Sequence, residues 1–142
     1  MKPCNQCGKC CLKYGQGPGT ASPEEILYWE RYNPDIADYV YRIYAGRKLL
    51  FGDLWMSPTT NEEMKRCPWL RKLPNRAIYK CRIYAHRPSV CRSYPRDVEQ
   101  MIADGCEMLE SSDHKRQVEE LQTELDHFLG RNEIPKEEWW KR

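Results

Sequence analysis

Cys4-Asn5-Gln6-Cys7-Gly8-Lys9-Cys10-Cys11 places four thiols within eight residues, and four more follow singly at Cys67, Cys81, Cys91 and Cys106. The C-x2-C-x2-C spacing lets one tight loop turn successive sulfurs inward onto a common centre, as a tetrahedral metal ion or an iron–sulfur cluster requires. All eight cysteines are candidate metal ligands. A chain of this kind is expected to fold around its sulfur sites as much as around hydrocarbon.

Working outward, the length of 142 residues suits one ordinary domain. Two Phe stand against nine Tyr and five Trp, so the apolar material is amphipathic and the expected core is thin, stapled by the cysteines. Met1-Lys2-Pro3 leads straight into the cluster without a signal-like apolar stretch. No run reaches the roughly 18 apolar residues of a membrane span. A cytoplasmic protein without membrane contact is the expectation, and in a reducing compartment an even cysteine count favours metal over disulfides.

The net charge of +2 conceals a marked asymmetry. Residues 65–96 carry ten Lys or Arg and no acid, whereas residues 97–142 carry thirteen acids and six bases. Charge compensation beside an anionic thiolate site is the simpler explanation of the basic block. The sharper one is a surface for an acidic partner or RNA, with Tyr79, Tyr84 and Tyr94 available for stacking. The absence of a nucleic-acid motif and the small overall charge argue against nucleic acid.

Local signals outline the elements. Gly15 to Thr20 reads as turn and linker. Ser22-Pro23-Glu24-Glu25 supplies a cap, a first-turn proline and acids at the positive end of a helix. Pro34 begins a second helical stretch running through Ile36, Val40 and Ile43 or Tyr44, with Gly46 as its stop. Lys48 to Met56 and the stretch around Ala77 to Tyr84 read as strands, the second delivering Cys81. Ser89 to Tyr94 suits one helical turn before Pro95, and Asp97 to Ala103 a short helix with Gly105 as its cap. A terminal amphipathic helix is expected from Asp113 to Leu129, with Val118, Leu121, Leu125 and Phe128 as its apolar stripe. Trp139-Trp140 forms a tail that docks back or meets a partner.

Four thiolates serve zinc and iron–sulfur clusters alike, so spacing has to separate them. Three cysteines at C-x2-C-x2-C with a remote Cys67-Pro68 resemble the bacterial ferredoxin arrangement, but Cys11 directly after Cys10 departs from it. Adjacent cysteines on extended backbone project to opposite sides, which suggests that Cys10 and Cys11 serve two different centres, or one centre and the groups around it. The working division gives Cys4, Cys7 and Cys10 one late cysteine, and gives Cys11 the other three. Cys106, in an acidic neighbourhood, carries the weakest signal and could be a free buried thiol.

These residues resemble the YkgJ-type cysteine-cluster proteins, described as a zinc- or iron-chelating domain, whose mark is C-x2-C-x2-C-C. The resemblance rests on Cys4, Cys7, Cys10 and Cys11, on Cys67-Pro68-Trp69-Leu70, on Cys81-Arg82-Ile83-Tyr84, on Arg87 to Pro95 and on Cys106. It implies metal chelation and leaves zinc against iron open. Relatives called iron–sulfur oxidoreductases, and a related cluster in a flagellin lysine methylase, extend the implied activities to redox and protein-modifying chemistry. Arg87, Arg92 and Tyr94 belong to the shared pattern, and an arginine beside Cys91 can hydrogen-bond sulfur and hold it charged. An ordinary turn, with the guanidinium on backbone carbonyls, is equally compatible.

No phosphate loop, nucleotide fingerprint, G-x-S-x-G or H-E-x-x-H occurs, so no residue is assigned as catalytic. The expectation is an α+β fold, loop-rich and mostly helical, with a cysteine-cluster domain at residues 1–110 and a helical extension at 111–142 packed on it. The expected cofactor is an iron–sulfur cluster of the [4Fe-4S] type, or zinc. The expected role is electron transfer or accessory redox work for a redox or substrate protein. A zinc-stabilised interaction module and a cluster-dependent protein-modifying enzyme are the alternatives.

Overall fold

A computed structural model of the chain describes residues 1–14 and 19–131. In chain order its elements are α1 (Lys9–Tyr14), β1 (Gly19–Ala21), α2 (Pro23–Tyr32), α3 (Pro34–Ala37), β2 (Tyr41–Ala45), β3 (Lys48–Leu54), β4 (Leu70–Lys72), β5 (Tyr79–Cys81), α4 (Ser89–Arg92), α5 (Val98–Asp104) and α6 (Val118–Phe128). Single 3-10 turns occupy Tyr84–His86 and Asp113–Lys115. The fold is mixed α+β, with helix and two small antiparallel sheets interleaved. The expected predominance of helix does not hold, because well under half of the described residues are helical.

A capping box starts α2. Ser22 Oγ accepts from the Glu25 N–H at 3.2 Å while the Glu25 carboxylate accepts from the Ser22 N–H at 2.8 Å. Two donors at the helix start are satisfied at once. The helix buries Ile26 and Trp29 against a three-stranded sheet of order β1-β3-β2. Gly52, at the middle of β3, makes this approach possible. A Cβ there would stand 2.3 Å from Val40 Cγ1 and 2.8 Å from Ile26 Cδ1. In the same core Trp29, Trp55 and Trp69 meet in sequence, the first pair tilted and the second edge-on, with centroids 6.2 and 5.9 Å apart, and Tyr39 meets Trp69 edge-on at 5.1 Å.

A second, smaller core lies between α5 and α6, where Val98, Met101, Met108, Leu109, Leu121 and Leu125 are buried together. Asp97 caps α5 by accepting from the Gln100 N–H, and Gly105 ends it in the left-handed conformation. Arg131, 5% exposed, donates to the carbonyls of Ser93, Pro95 and Arg96 and so fastens the α4–α5 connection to the end of α6.

Several expectations are corrected by pairing between distant segments. The second helix stops at Ala37, and residues 41–45 form a strand whose Ile43 pairs with Phe51. Ile43 and Tyr44 suit a strand as well as a helix face, and β3 supplies the ladder that decides between them. Gly46 accordingly sits in a hairpin turn, and Gly19 and Thr20, read as linker, pair with Leu54 and Asp53. The terminal helix begins at Val118 because the Asp113 carboxylate is engaged elsewhere, accepting from the Glu110 N–H at 2.8 Å. Leu121 and Leu125 of its stripe are buried, whereas Val118 and Phe128 are exposed. Trp139-Trp140 lies outside the described residues. Among the described residues no helix is long and apolar enough to cross a membrane.

Asp113 is itself 2% exposed, in contact with Arg116 at 3.0 Å and the Met1 amino group at 3.0 Å. The Glu110 N–H foremost, then these two cations, hold its carboxyl down at about 2. A carboxyl depressed in the folded state contributes stability above its ordinary value, and that contribution is lost as pH falls through the folded value. Unfolding midpoints in urea are therefore expected to fall steeply between about pH 4 and pH 2. Asp113→Asn should flatten that fall, and an unchanged acid profile would remove Asp113 from this role.

Candidate metal centre

The cysteine run forms a curled loop because two of its residues, Gln6 (φ 58°) and Gly8 (φ 77°), adopt left-handed backbone. Asn5 Oδ1 accepts from the Cys7 N–H at 3.2 Å, an Asx turn that tightens the curl. From there Gly8 O accepts from the Leu12 N–H at 2.8 Å and leads into α1.

One side of the loop docks on β5. The Tyr79 N–H donates to Gln6 O at 2.8 Å, and Gly8 lies so flat on Tyr79 that a Cβ would stand 2.5 Å from ring atom Cδ2. The other side docks at the end of α5. Lys9 Nζ donates to Gly105 O at 3.2 Å, Asn5 Nδ2 to Glu107 at 3.0 Å and Tyr14 Oη to Asp104 at 2.8 Å, while Lys13 pairs with Asp104. A loop held on both sides presents sulfurs to both halves of the fold.

The eight cysteines are all free thiols, and their charges act mainly within two sets, with Cys10 acting across them on Cys91. Cys11 is acted on by Cys91, Cys67 and Cys81. Cys106 is acted on by Cys10, Cys4 and Cys7. Cys67 and Cys81 pack against the first core and Cys106 against the second. Cys10 and Cys11 stand at the junction. The backbone there is helical, not extended, so the two side chains are about 100° apart, and the Cys10 thiol donates to the Cys11 sulfur. That bond draws the Cys11 thiol down and, with burial, pushes the Cys10 thiol up.

Backbone donors meet these sulfurs in a repeated way. Cys4 accepts from the Gln6 N–H at 3.4 Å. Cys7, Cys67, Cys81 and Cys106 accept from the N–H of Lys9, Trp69, Ile83 and Met108. In all five a donor is the residue two positions on, and at Cys67 the Leu70 N–H adds a second. A chain that turns back on its own sulfur in this way favours the thiolate, since hydrogen bonds to a charged form stabilise it. Burial acts against it and dominates at Cys7, Cys67, Cys81, Cys91 and Cys106, lifting Cys91 to about 12.

Among the described residues no three His, Cys, Asp or Glu side chains stand close enough to share one ion as placed. The two groups are neighbourhoods of thiols, not finished coordination spheres. In donor chemistry they fit a thiophilic metal: soft sulfurs in fours, preset amide donors and an arginine nearby.

Arg87 and Arg92 have different surroundings. The charge of Arg87 favours the thiolates of Cys81 and Cys91, while its Nε donates to Tyr84 O and its guanidinium covers the Tyr84 ring at 3.8 Å. Arg92 donates to the carbonyls of Arg87 and Ala85, both at 2.8 Å, and so braces the turn that carries Arg87. Tyr94 stands 5.7 Å from the Tyr14 ring, its phenol pushed up by burial and then by the charges of Cys106 and Asp104. His86 bonds the Tyr28 hydroxyl at 3.1 Å.

Sequence reasoning missed Tyr79, Asp104 and Glu107 as loop supports. Glu107 directly follows Cys106, but nothing local to residue 107 announces a partner at Lys9 or Asn5. Trp69, two residues beyond Cys67, keeps an indole N–H buried without a partner among the described residues.

Because Gly8 touches Tyr79 and has positive φ, Gly8→Ala must lift the loop from β5. The expected outcome is metal affinity weakened by about 10–100-fold, the range for groups that orient ligands, with far-UV circular dichroism unchanged. Equilibrium dialysis against zinc and ferrous iron checks it, and undiminished affinity would show that the docked loop does not set the site.

No curated protein and no solved structure matches the chain. A family model named CxxCxxCC and described as "Putative zinc- or iron-chelating domain" matches residues 3–123, from the cysteine loop through both cores into α6. With the name-giving cysteines at Cys4, Cys7, Cys10 and Cys11 and most of the fold inside that span, the chain belongs to the CxxCxxCC zinc- or iron-chelating family.

Proposed function

We propose that the chain holds two metal centres on four thiolates each, one on Cys4, Cys7, Cys10 and Cys106 and one on Cys11, Cys67, Cys81 and Cys91. Each is an iron–sulfur centre of the [4Fe-4S] type, and the chain serves electron transfer or accessory redox work for a partner protein. The observation that carries this reading is the loop of Cys4, Cys7, Cys10 and Cys11 held between the two cores, with Cys67 and Cys81 packed on the first and Cys106 on the second.

Three features support redox use over a structural metal. The two fours meet at the adjacent residues Cys10 and Cys11 of one helical turn, which would put the two centres next to each other, an arrangement that redox-inert zinc does not need. The repeated amide donors on sulfur are among the groups that set a cluster's potential. Both cores shield sulfur from water on their own side, another determinant of that potential. An iron–sulfur centre supplies acceptance and release of single electrons when bound. This chain's residues hold the thiolates, offset their charge through Arg87 and exclude water.

The smallness of the two cores favours a second reading, in which zinc in the same positions folds the chain and does no chemistry. Protein purified without oxygen separates the two when iron, zinc and acid-labile sulfide are measured per chain. Iron with sulfide and a brown spectrum is expected, and a colourless zinc protein would sink the redox reading. Cys81→Ser and Cys106→Ser should each remove a different half of the metal, and together all of it. Eight single Cys→Ser variants that all keep their metal would end the ligand assignment. Since burial keeps most of these thiols protonated at neutral pH, uptake is expected to release protons and to weaken as pH falls.

A further inference from the structure

The β4–β5 hairpin has two faces of opposite character. Strand alternation and the pairing of Leu70 with Cys81 put Cys81 on one face, toward the first core. On the other face Arg71 pairs directly with Lys80, and Arg82, two residues beyond Lys80, follows on the same side with its N–H bonded to Trp69 O. All three side chains are exposed, as are Lys72 and Arg76 at the hairpin's far end.

None of these five forms an ion pair among the described residues, whereas Lys9, Lys13, Arg42, Arg96 and Arg116 each meet a carboxylate. Arg71 opposite Lys80 is an unfavourable arrangement, because like charges directly across a ladder repel. Compensation of the thiolates does not account for it. The cation that acts on Cys81 and Cys91 is Arg87, on a different segment.

We propose that the outer face of β4–β5, centred on Arg71, Lys80 and Arg82, is a docking surface for an acidic face of a partner protein, placed directly behind Cys81. An anionic partner would relieve the Arg71–Lys80 repulsion and would be brought within one sheet thickness of the Cys11, Cys67, Cys81 and Cys91 thiols. The surface thereby serves as the entry point for the redox partner, and to that extent it rests on the function proposed above. Nucleic acid is the poorer occupant, since single strands are read by several stacking rings and this region exposes one: Trp69 is buried, Tyr79 lies under Gly8, and the exposed Tyr84 has one face covered by Arg87.

The test uses the metal-loaded full chain with two fluorescent probes of equal charge, a polyglutamate peptide and an oligothymidylate, read by polarisation at several salt concentrations. Polyglutamate is expected to bind more tightly than the oligonucleotide and to be released by salt. Lys80→Glu/Arg82→Glu should weaken it by at least about tenfold, or about 1.4 kcal/mol. That variant gives Arg71 an opposite charge across the ladder, so its melting temperature should hold or rise, and its metal content should equal the wild type's. Arg47→Glu/Lys48→Glu, in the exposed turn between β2 and β3 and at the first residue of β3, should leave binding unchanged. The proposal is overturned by no binding, by equal binding in the Lys80→Glu/Arg82→Glu variant, or by tighter binding of the oligonucleotide. Salt-sensitive self-association that excludes the peptide, or loss of metal in that variant, would overturn it too. Metal measured in the wild type is read separately, so a chain without a cluster refutes the redox role and leaves the peptide result standing.

Discussion

The hydrogen bonds that hold the N-terminal loop between the two halves are the constraint on which this structure depends. The Tyr79 N–H binds Gln6 O on the side of the first core, and the Lys2 N–H binds Met108 O on the side of the second, each at 2.8 Å. Neither core is large. The first is assembled on three tryptophans, Ile26 and a handful of smaller residues, and the second on six residues between two helices. Cores of that size leave little margin over chain entropy. A loop hydrogen-bonded to both sides therefore does what a larger hydrophobic interior does elsewhere: it fixes how the halves sit.

Elements whose boundaries are written in local chemistry were legible from the sequence. Ser22-Pro23-Glu24-Glu25 begins α2 through a complete capping box, and Asp97 with Gly105 brackets α5. Cys81 arrives on a strand and Cys91 on a single helical turn, as their surroundings suggested. Elements decided by a distant partner were not legible. Nothing within residues 34–46 says that Ile43 will lie beside Phe51, and without that ladder its spacing suits a helix face equally well. Asp113 has the chemistry of a helix cap but spends it on Glu110 and Arg116, so α6 starts later. Local propensity loses in each instance to a contact the local sequence does not contain.

The site divides along the same line. The thiols were plain. The expectation that Cys10 and Cys11 project to opposite sides assumed extended backbone, whereas α1 places them on one helical turn and in contact. Cys106 carried the weakest signal of the eight, yet it is the thiol whose neighbours are Cys4, Cys7 and Cys10. Its association depends on Lys9 and Asn5 reaching Glu107, contacts that only the folded chain brings together. Arg87 and Arg92, alike in sequence, separate in the structure into one charge acting on thiols and one brace on carbonyls.

Two opposed effects meet at the sulfurs. Amide donors two residues on favour thiolate, and burial between small cores favours thiol. At Cys7, Cys67, Cys81, Cys91 and Cys106 burial is the larger effect and favours the thiol, so the amide donors there stand arranged around a charge that is not yet present. A cation at the centre reverses the balance, since it pays the desolvation of every thiolate around it at once. The fold has then placed its hydrogen bonds for the ionised form while leaving ionisation itself to the metal. On the proposed ligand assignment, metal uptake would couple to closure of the two halves: a sulfur on the first core and a sulfur on the second would become ligands beside one loop, and neither half could retract without exposing charge.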